Sequence, residues 1–327
     1  MATDQAILRL ENLTVVYDTP AGPLYALDDV SLTLNRGGTH SIVGESGSGK
    51  STLALAAMKA IHPQKGSVVF DGHDISPLKG KALASFRKRM QLVFQDPYSS
   101  LNPGMKVHDI IAEPLHAHRW GSRADIDDRI HSLMNKVGLP EDAGQRLPSQ
   151  FSGGQRQRIA IARALALEPE LLIADEPVSA LDVSVQAQIV KLLKDIQQDQ
   201  GVAYLIVAHD LALVHHISHR ITVMYLGKIV EEGPADLLVA KPAHPYTASL
   251  LSATPIPRRK TEKHSMVLEG EPPSAIERPS GCAFHPRCPI ARPQCKKSGP
   301  PLSIEKDGRK VACHFAGEIP SPIEFVE

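Results

Sequence analysis

Residues 44–51 read Gly-Glu-Ser-Gly-Ser-Gly-Lys-Ser, which fits the pattern Gly, four residues, Gly, Lys, Ser/Thr without a mismatch. This stretch constrains the fold more than any other, because such a loop works only between a buried strand and a helix. Residues 39–43 before it suit a short buried strand, and residues 52–60 after it are rich in helix formers. Gly44, Gly47 and Gly49, with Glu45, Ser46 and Ser48 between them, allow successive N–H groups to turn inward around phosphate oxygens. Lys50 supplies a fixed positive charge for the terminal phosphates and Ser51 a hydroxyl for Mg²⁺. The helix that continues through Thr52 adds the positive end of its dipole. A nucleotide-binding chain is expected.

The remaining bulk properties narrow the class. At 327 residues the chain is long enough for one large domain with an appendage, or for two domains. Its composition, 42% hydrophobic and 22% charged, is that of a folded globular protein. With 36 basic and 36 acidic residues and only 4% aromatics, nothing argues for nucleic-acid binding, and none is expected. Residues 1–12 lack an apolar core behind basic residues, and no run of about 18 apolar residues could span a bilayer. The expected location is the cytosol or the cytosolic face of a membrane.

Along the chain, residues 8–16 and 26–34 alternate as strands do, with Tyr17 ending the first. Residues 66–72 form a further strand between turns, and residues 90–95 another that ends on Gln95, where Pro97 breaks the pattern. Residues 107–139 carry a helical apolar pattern, leaving room for a small helical subdomain at about 96–165. His116 and His118 within it read as a solvated or packed face and not as a metal site.

Two further stretches carry chemistry. In Phe151-Ser152-Gly153-Gly154-Gln155, Ser152 suits an N-cap, and the two glycines leave the first helical N–H groups open to an anion. Twenty residues on, 171–174 form a strand buried on both faces, with Asp175 and Glu176 emerging at its end. Asp175 is expected to hold Mg²⁺ through water, and Glu176 to polarise the water that attacks the γ-phosphate. Asp182 lies in the turn that leads into a helix over 186–197. Residues 202–208 form another buried strand, and His209 follows it, able to bond a γ-phosphate and sense its loss. His215, His216 and His219 are expected on a surface helix face.

In this order the pieces resemble an ABC-transporter nucleotide-binding subunit over residues 8–235. The resemblance implies Tyr17 as adenine stacker, Gly44–Ser51 as Walker A, and Gln95 as Q-loop. It implies Phe151–Gln155 as the signature, with Phe in place of the usual Leu. Asp175 and Glu176 become Walker B and catalytic base, 179–182 the D-loop, and His209 the switch histidine. The implied fold is an α/β P-loop NTPase core, residues 1–235, with a helical subdomain. Two such domains would dimerise head to tail around two ATP molecules.

A second layer is similar to the oligopeptide/dipeptide importer ATPases, nearest their F-type subunit. It rests on Gln95-Asp96-Pro97-Tyr98-Ser99-Ser100-Leu101-Asn102-Pro103, His244-Pro245-Tyr246-Thr247, Ser252-Ala253-Thr254-Pro255 and Gly281-Cys282-Ala283-Phe284-His285-Pro286-Arg287-Cys288-Pro289. It implies two transmembrane permease subunits, a second ATPase of the D type as heterodimer partner, an extracytoplasmic peptide-binding protein, and a peripheral position on the cytoplasmic side of the inner membrane. The same subunit type also serves nickel, glutathione and oligosaccharide systems, and other ABC ATPases work without membrane partners.

Residues 236–327 are proline-rich and read as a loop-rich C-terminal appendage that needs staples. All four cysteines, Cys282, Cys288, Cys295 and Cys313, lie there, and in a reducing compartment they favour metal ligation over disulfides. Their spacing is unlike that of most zinc or ferredoxin motifs. The family resemblance implies a [4Fe–4S] cluster, with zinc or free thiols as the alternatives.

Overall fold

A computed structural model describes residues 6–179, 181–253 and 270–319. Ala180, in the implied D-loop, and Thr254, Pro255 and Pro257, in the proline-rich stretch, lie outside the described residues. The strands are β1 (Ala6–Thr19), β2 (Gly22–Asn35), β3 (Thr39–Val43), β4 (Lys65–Phe70), β5 (His73–Asp74), β6 (Met90–Val93), β7 (Leu171–Asp175), β8 (Ala203–Ala208), β9 (Arg220–Tyr225), β10 (Lys228–Pro234), β11 (Ser303–Ile304) and β12 (Lys310–Val311). The helices are α1 (Lys50–Ala57), α2 (Gly80–Arg89), α3 (Pro97–Ser100), α4 (Val107–Ala117), α5 (Arg123–Lys136), α6 (Gly153–Leu165), α7 (Val183–Gln200), α8 (Leu211–His215), α9 (Ala235–Ala240), α10 (Pro245–Ala253) and α11 (Pro293–Lys297). Among the described residues no helix is long and apolar enough to cross a membrane.

The chain divides into two compact units. The first takes in residues 34–38 and 70–207. Its sheet is parallel: β6 pairs with β7 and β7 with β8, in the register Leu92↔Ile173 and Ile173↔Leu205. Residues 171–174 are all buried, as a parallel strand covered on both faces requires. The helical pattern expected at 107–139 is carried by two helices, α4 and α5. Arg119 and Gly121 take positive φ between them, and Ser122 restarts the helix with a capping box to Asp125. The stripe Ile126, Ile130, Leu133 and Met134 on α5 is buried, each side chain contributing about 1.5–3 kcal/mol relative to exposure. Gly80–Arg89, whose last residues stand out in the sequence only for their basic charge, is the helix α2. Arg89 at its end bonds Asp71 and Glu170, and both carboxyls are held below their usual range by hydrogen bonds from Arg89 and by the charge of Arg36.

The second unit takes in residues 9–33, 39–69 and 208–319. In it β3 runs parallel to β9, β10 is antiparallel to β9 with a bulge between Ile229 and Glu231, β12 is antiparallel to β10, and β11 is antiparallel to β12. All five residues of β3 are buried. The expected loop-rich appendage is in part regular structure: residues 235–253 contribute α9 and α10, and β12 extends the sheet from residues 310–311. The prolines allow this because Pro234 and Pro245 stand at helix starts, where the missing N–H is not needed. The helix after His209 also differs from expectation. It ends at His215, and His219 lies beyond it with Nδ1 accepting from Thr39 N at 2.9 Å.

Two buried imidazoles give this unit a pH dependence. His40 on β3 donates from Nδ1 to Thr33 O (3.0 Å), so its Nε2 is the acceptor for the Thr222 hydroxyl (2.8 Å). His244 Nδ1 accepts from Tyr246 N at 3.1 Å. Both rings are neutral, and burial lowers His40 to about 4 and His244 to about 3 from the ordinary 6.5. Below pH 6.5 the unfolded chain takes up protons that the folded chain refuses. The stability these groups provide is therefore complete above pH 6.5 and is lost as the pH falls toward 4. Each contributes a slope approaching about 1.4 kcal/mol per pH unit. Urea melts between pH 7.5 and 5.5, above most carboxylate titrations, should show this loss, and His40→Gln should reduce it. A flat profile would contradict it.

Candidate functional site

In the second unit, β3 ends at Val43 and α1 begins at Lys50, so the whole glycine-rich stretch is the connection between them. The loop is stapled to its surroundings. Ser48 O accepts from Gly227 N (2.9 Å), Ser48 N donates to Glu45 O (3.2 Å), and Leu53 N to Gly49 O (2.9 Å). Gly49 sits at φ 102, and a Cβ there would lie 2.3 Å from Ala26 O; one at Gly44 would lie 2.3 Å from Met224 O. Only glycine fits at either position. Ser46 and Gly47 are exposed at the loop tip, Ser51 is exposed in the first turn of α1, and Thr52 is half-buried.

Lys50 is 5% exposed, and its Nζ donates to Gly44 O (2.8 Å) and Glu45 O (2.9 Å), so the ammonium is centred on its own loop. The buried Ser48 hydroxyl has no hydrogen-bond partner among the described residues. A fixed cation, a glycine cradle that a Cβ would fill, an unpaired buried hydroxyl and a helix N-terminus together fit an anionic phosphate chain. Tyr17 is 42% exposed near the end of β1, and His209 is exposed one residue past β8.

Several groups meet in the first unit. Asp175 is the last residue of β7, and Glu176 follows at φ 44, in a left-handed conformation costly for a residue with a side chain. That conformation is pinned. Glu176 N donates to Val207 O (2.8 Å), and Glu176 O accepts from Ser179 Oγ (3.1 Å). Its carboxylate Oε2 accepts from Gln95 Nε2 at 2.9 Å, so the strand-end glutamine and the second carboxylate are brought together. The oxygen donors of this unit, the Gln95 amide and the Asp175 carboxylate, are of the kind Mg²⁺ takes.

The signature stretch behaves as its residues imply. Ser152 Oγ accepts from Gln155 N (3.4 Å) and Gln155 Oε1 accepts from Ser152 N (3.0 Å), a reciprocal cap on α6. Phe151 is 4% exposed, so an aromatic serves at a position that buries its side chain. The Asp182 turn packs here too: Leu181 lies against Gly153, and Val185 of α7 so close to Gly154 that a Cβ would sit 2.5 Å from it. Arg156 stacks over Tyr98 at 4.1 Å, a contact without a signal in the sequence pattern.

The four cysteines lie in one part of the second unit. Cys282 N donates to Cys295 O (2.8 Å), and Cys313 Sγ accepts from Phe315 N (3.4 Å). Burial raises the Cys282 and Cys313 thiols and pushes Cys288 up to about 11, with smaller contributions from the neighbouring cysteines. Among the described residues, however, no group of three or more His, Cys, Asp or Glu side chains is arranged to hold a metal ion.

Comparison with known proteins supplies the context. The ABC transporter family matches residues 27–179, and the family described as "Oligopeptide/dipeptide transporter, C-terminal region" matches residues 230–295. The chain is 52% identical to a probable peptide ABC transporter ATP-binding protein of Sinorhizobium fredii, over 94% of this chain and 90% of the relative. It is 45% identical to the oligopeptide transport ATP-binding protein AppF of Bacillus subtilis, over 92% of each. Among solved structures, the dimeric post-hydrolysis state of the ATP-binding cassette MJ0796 with ADP and Pi aligns at a TM-score of 0.65 and 32% identity, over 70% of this chain and 98% of that one.

Proposed function

The chain belongs to the ABC transporter ATP-binding family, and from that premise we propose that it is the ATP-hydrolysing subunit of an importer of di- and oligopeptides. The observation that carries the cargo class is the match of residues 230–295 to the C-terminal region of oligopeptide/dipeptide transporters. The relatives' printed names, peptide and oligopeptide transport ATP-binding proteins, support the same reading.

In this reading the loop from Gly44 to Thr52 holds the phosphates, with Lys50 countering their charge, and Tyr17 stacks on the adenine. Ser51, Gln95 and Asp175 would hold Mg²⁺, which when bound would neutralise charge on the terminal phosphates. Glu176 takes a proton from the attacking water, and the Gln95 amide orients the carboxylate through their hydrogen bond. His209 bonds the γ-phosphate. Ser152, Gly153, Gly154, Gln155 and Asp182 face the ATP held by the other subunit of a head-to-tail pair. That second subunit is a sibling ATPase of the D type. Two permease subunits and an external peptide-binding protein complete the assembly, and the chain works at the cytoplasmic face of the membrane. Residues 1–235 act as the nucleotide-binding domain and residues 236–327 as a transporter-specific appendage.

Cys282, Cys288, Cys295 and Cys313 supply thiolates to a [4Fe–4S] cluster, with zinc as the alternative ion. The part-buried Cys282, Cys288 and Cys313 and the buried Cys295 support the donor chemistry, while the described side chains are not drawn together around an ion. Because the thiols must lose protons to bind, loading should strengthen with rising pH. Anaerobically purified protein should carry about four irons per chain; zinc alone, or no metal, would contradict the cluster.

The assembly is tested by recovering tagged Glu176→Gln protein from native membranes in mild detergent with ATP. Two multispanning proteins, a sibling ATPase and a solute-binding protein should come with it. Recovery of soluble partners only would overturn the transport reading in favour of a cytosolic ABC ATPase.

A further inference from the structure

Every polar group of Glu45, the second residue of the phosphate loop, is engaged. Its carbonyl oxygen accepts from Lys50 Nζ (2.9 Å) and Ser48 N (3.2 Å). Its N–H donates to the Tyr246 hydroxyl (2.8 Å), and its carboxylate accepts from both terminal nitrogens of Arg287, at 2.7 and 3.0 Å. Tyr246 and Arg287 follow Glu45 by 201 and 242 residues, and both fall within the C-terminal family match. We propose that Arg287 and Tyr246 are positioning residues for nucleotide binding: they fix the orientation of Glu45 and cancel its charge, so that the phosphate loop accepts an anion.

Packing makes this hold rigid. Phe284 is 1% exposed and meets Tyr225 at 5.3 Å and 86°, and Tyr246 at 5.3 Å and 56°. Tyr225 and Tyr246 meet each other at 4.8 Å. This buried aromatic cluster anchors the segment between Cys282 and Cys288. The short turn that follows, with Arg287 N donating to Phe284 O at 3.0 Å, delivers the guanidinium three residues later. The Arg287 side chain is 6% exposed and that of Glu45 27%, so the forked pair is shielded from salt more than a surface pair is.

Two consequences follow from the geometry. The Glu45 carbonyl is a fixed acceptor for Lys50, so a shift of Glu45 moves the cation that meets the phosphates. An uncompensated Glu45 carboxylate beside the loop would also repel them, because unlike a surface charge it is only partly screened.

The two effects separate in a double-mutant cycle on the full chain, read by titration with MgATP and by thermal melting. Arg287→Met should raise the Kd for MgATP about tenfold, less than truncating one side of a fully buried charge pair because the Glu45 side chain is part-exposed. Glu45→Gln, which removes the charge and keeps an amide oxygen for Arg287, should lower the Kd. The double variant should return to within about threefold of wild type. In the transport assembly, Arg287→Met should raise the KM for ATP with kcat unchanged, and Arg287→Lys, which keeps the charge without the fork, should fall between. An unchanged Kd in Arg287→Met, or a double variant as weak as the single, would overturn the proposal; the latter would mean only a disturbed C-terminal region. Should Arg287→Met fail to fold, Glu45→Gln decides alone, unchanged or weaker binding there overturning the charge argument. The inference rests on ATP binding by this loop, and failure of wild type itself to bind would count against that reading instead.

Discussion

Lys50→Ala should abolish measurable ATP binding. The ammonium is nearly fully buried and donates to Gly44 O and Glu45 O, the two carbonyls that open the phosphate loop. Its removal takes away the charge that meets the terminal phosphates and also takes the Lys50 donor from both loop carbonyls, of which Glu45 O keeps Ser48 N. At about 1.5–3 kcal/mol for each hydrogen bond involving a charged group, the loss of two such bonds to phosphate oxygens exceeds about a hundredfold in affinity. The fold should survive, since α1 keeps its backbone bonds and its buried face of Leu53, Ala54, Ala56 and Ala57. Calorimetric titration with MgATP, alongside a melting curve, separates the two effects. Affinity within a few-fold of wild type would remove Lys50 from the site.

Glu176→Gln should bind ATP and fail to turn it over. Glutamine is nearly the same shape, so the left-handed backbone at 176, pinned by Val207 and Ser179, is retained. It lacks the basic oxygen that takes a proton from water, and hydrolysis should fall by about 10²–10⁴-fold. The contact with Gln95 Nε2 persists in either case, because an amide oxygen also accepts. The expected product is a closed, ATP-loaded dimer. Undiminished phosphate release would exclude Glu176 as the base.

The parts of the site that were legible in the sequence are those set by local chemistry. β3 occupies Thr39–Val43 as read, because a short run ending in Ile42 and Val43 directly before a glycine-rich turn has few alternatives. Ser152 caps α6, because the serine and the glutamine three residues later satisfy each other's backbone. The apolar run before Asp175 is a parallel strand for the reason its composition suggests. Other features depend on tertiary contacts. α2 buries Leu83 alone and stands out by charge, and the positive φ of Arg119 and Gly121 divides the helical pattern of 107–139. The C-terminal helices were hidden by prolines that sit at helix starts. The Arg287–Glu45 pair was out of reach altogether: both residues lie in quoted motifs, yet nothing local in either motif points to the other. The left-handed backbone of Glu176 is likewise imposed by its neighbours and not by its residue type.

The central claim is that ATP hydrolysis on this chain drives peptide import. It is tested most directly in proteoliposomes carrying the co-purified assembly, with ATP on the side of this subunit and labelled di- and oligopeptides with the binding protein on the other. The account predicts peptide accumulation in step with ATP hydrolysis, lost in Glu176→Gln. Hydrolysis by the wild-type assembly without accumulation of any peptide would contradict it.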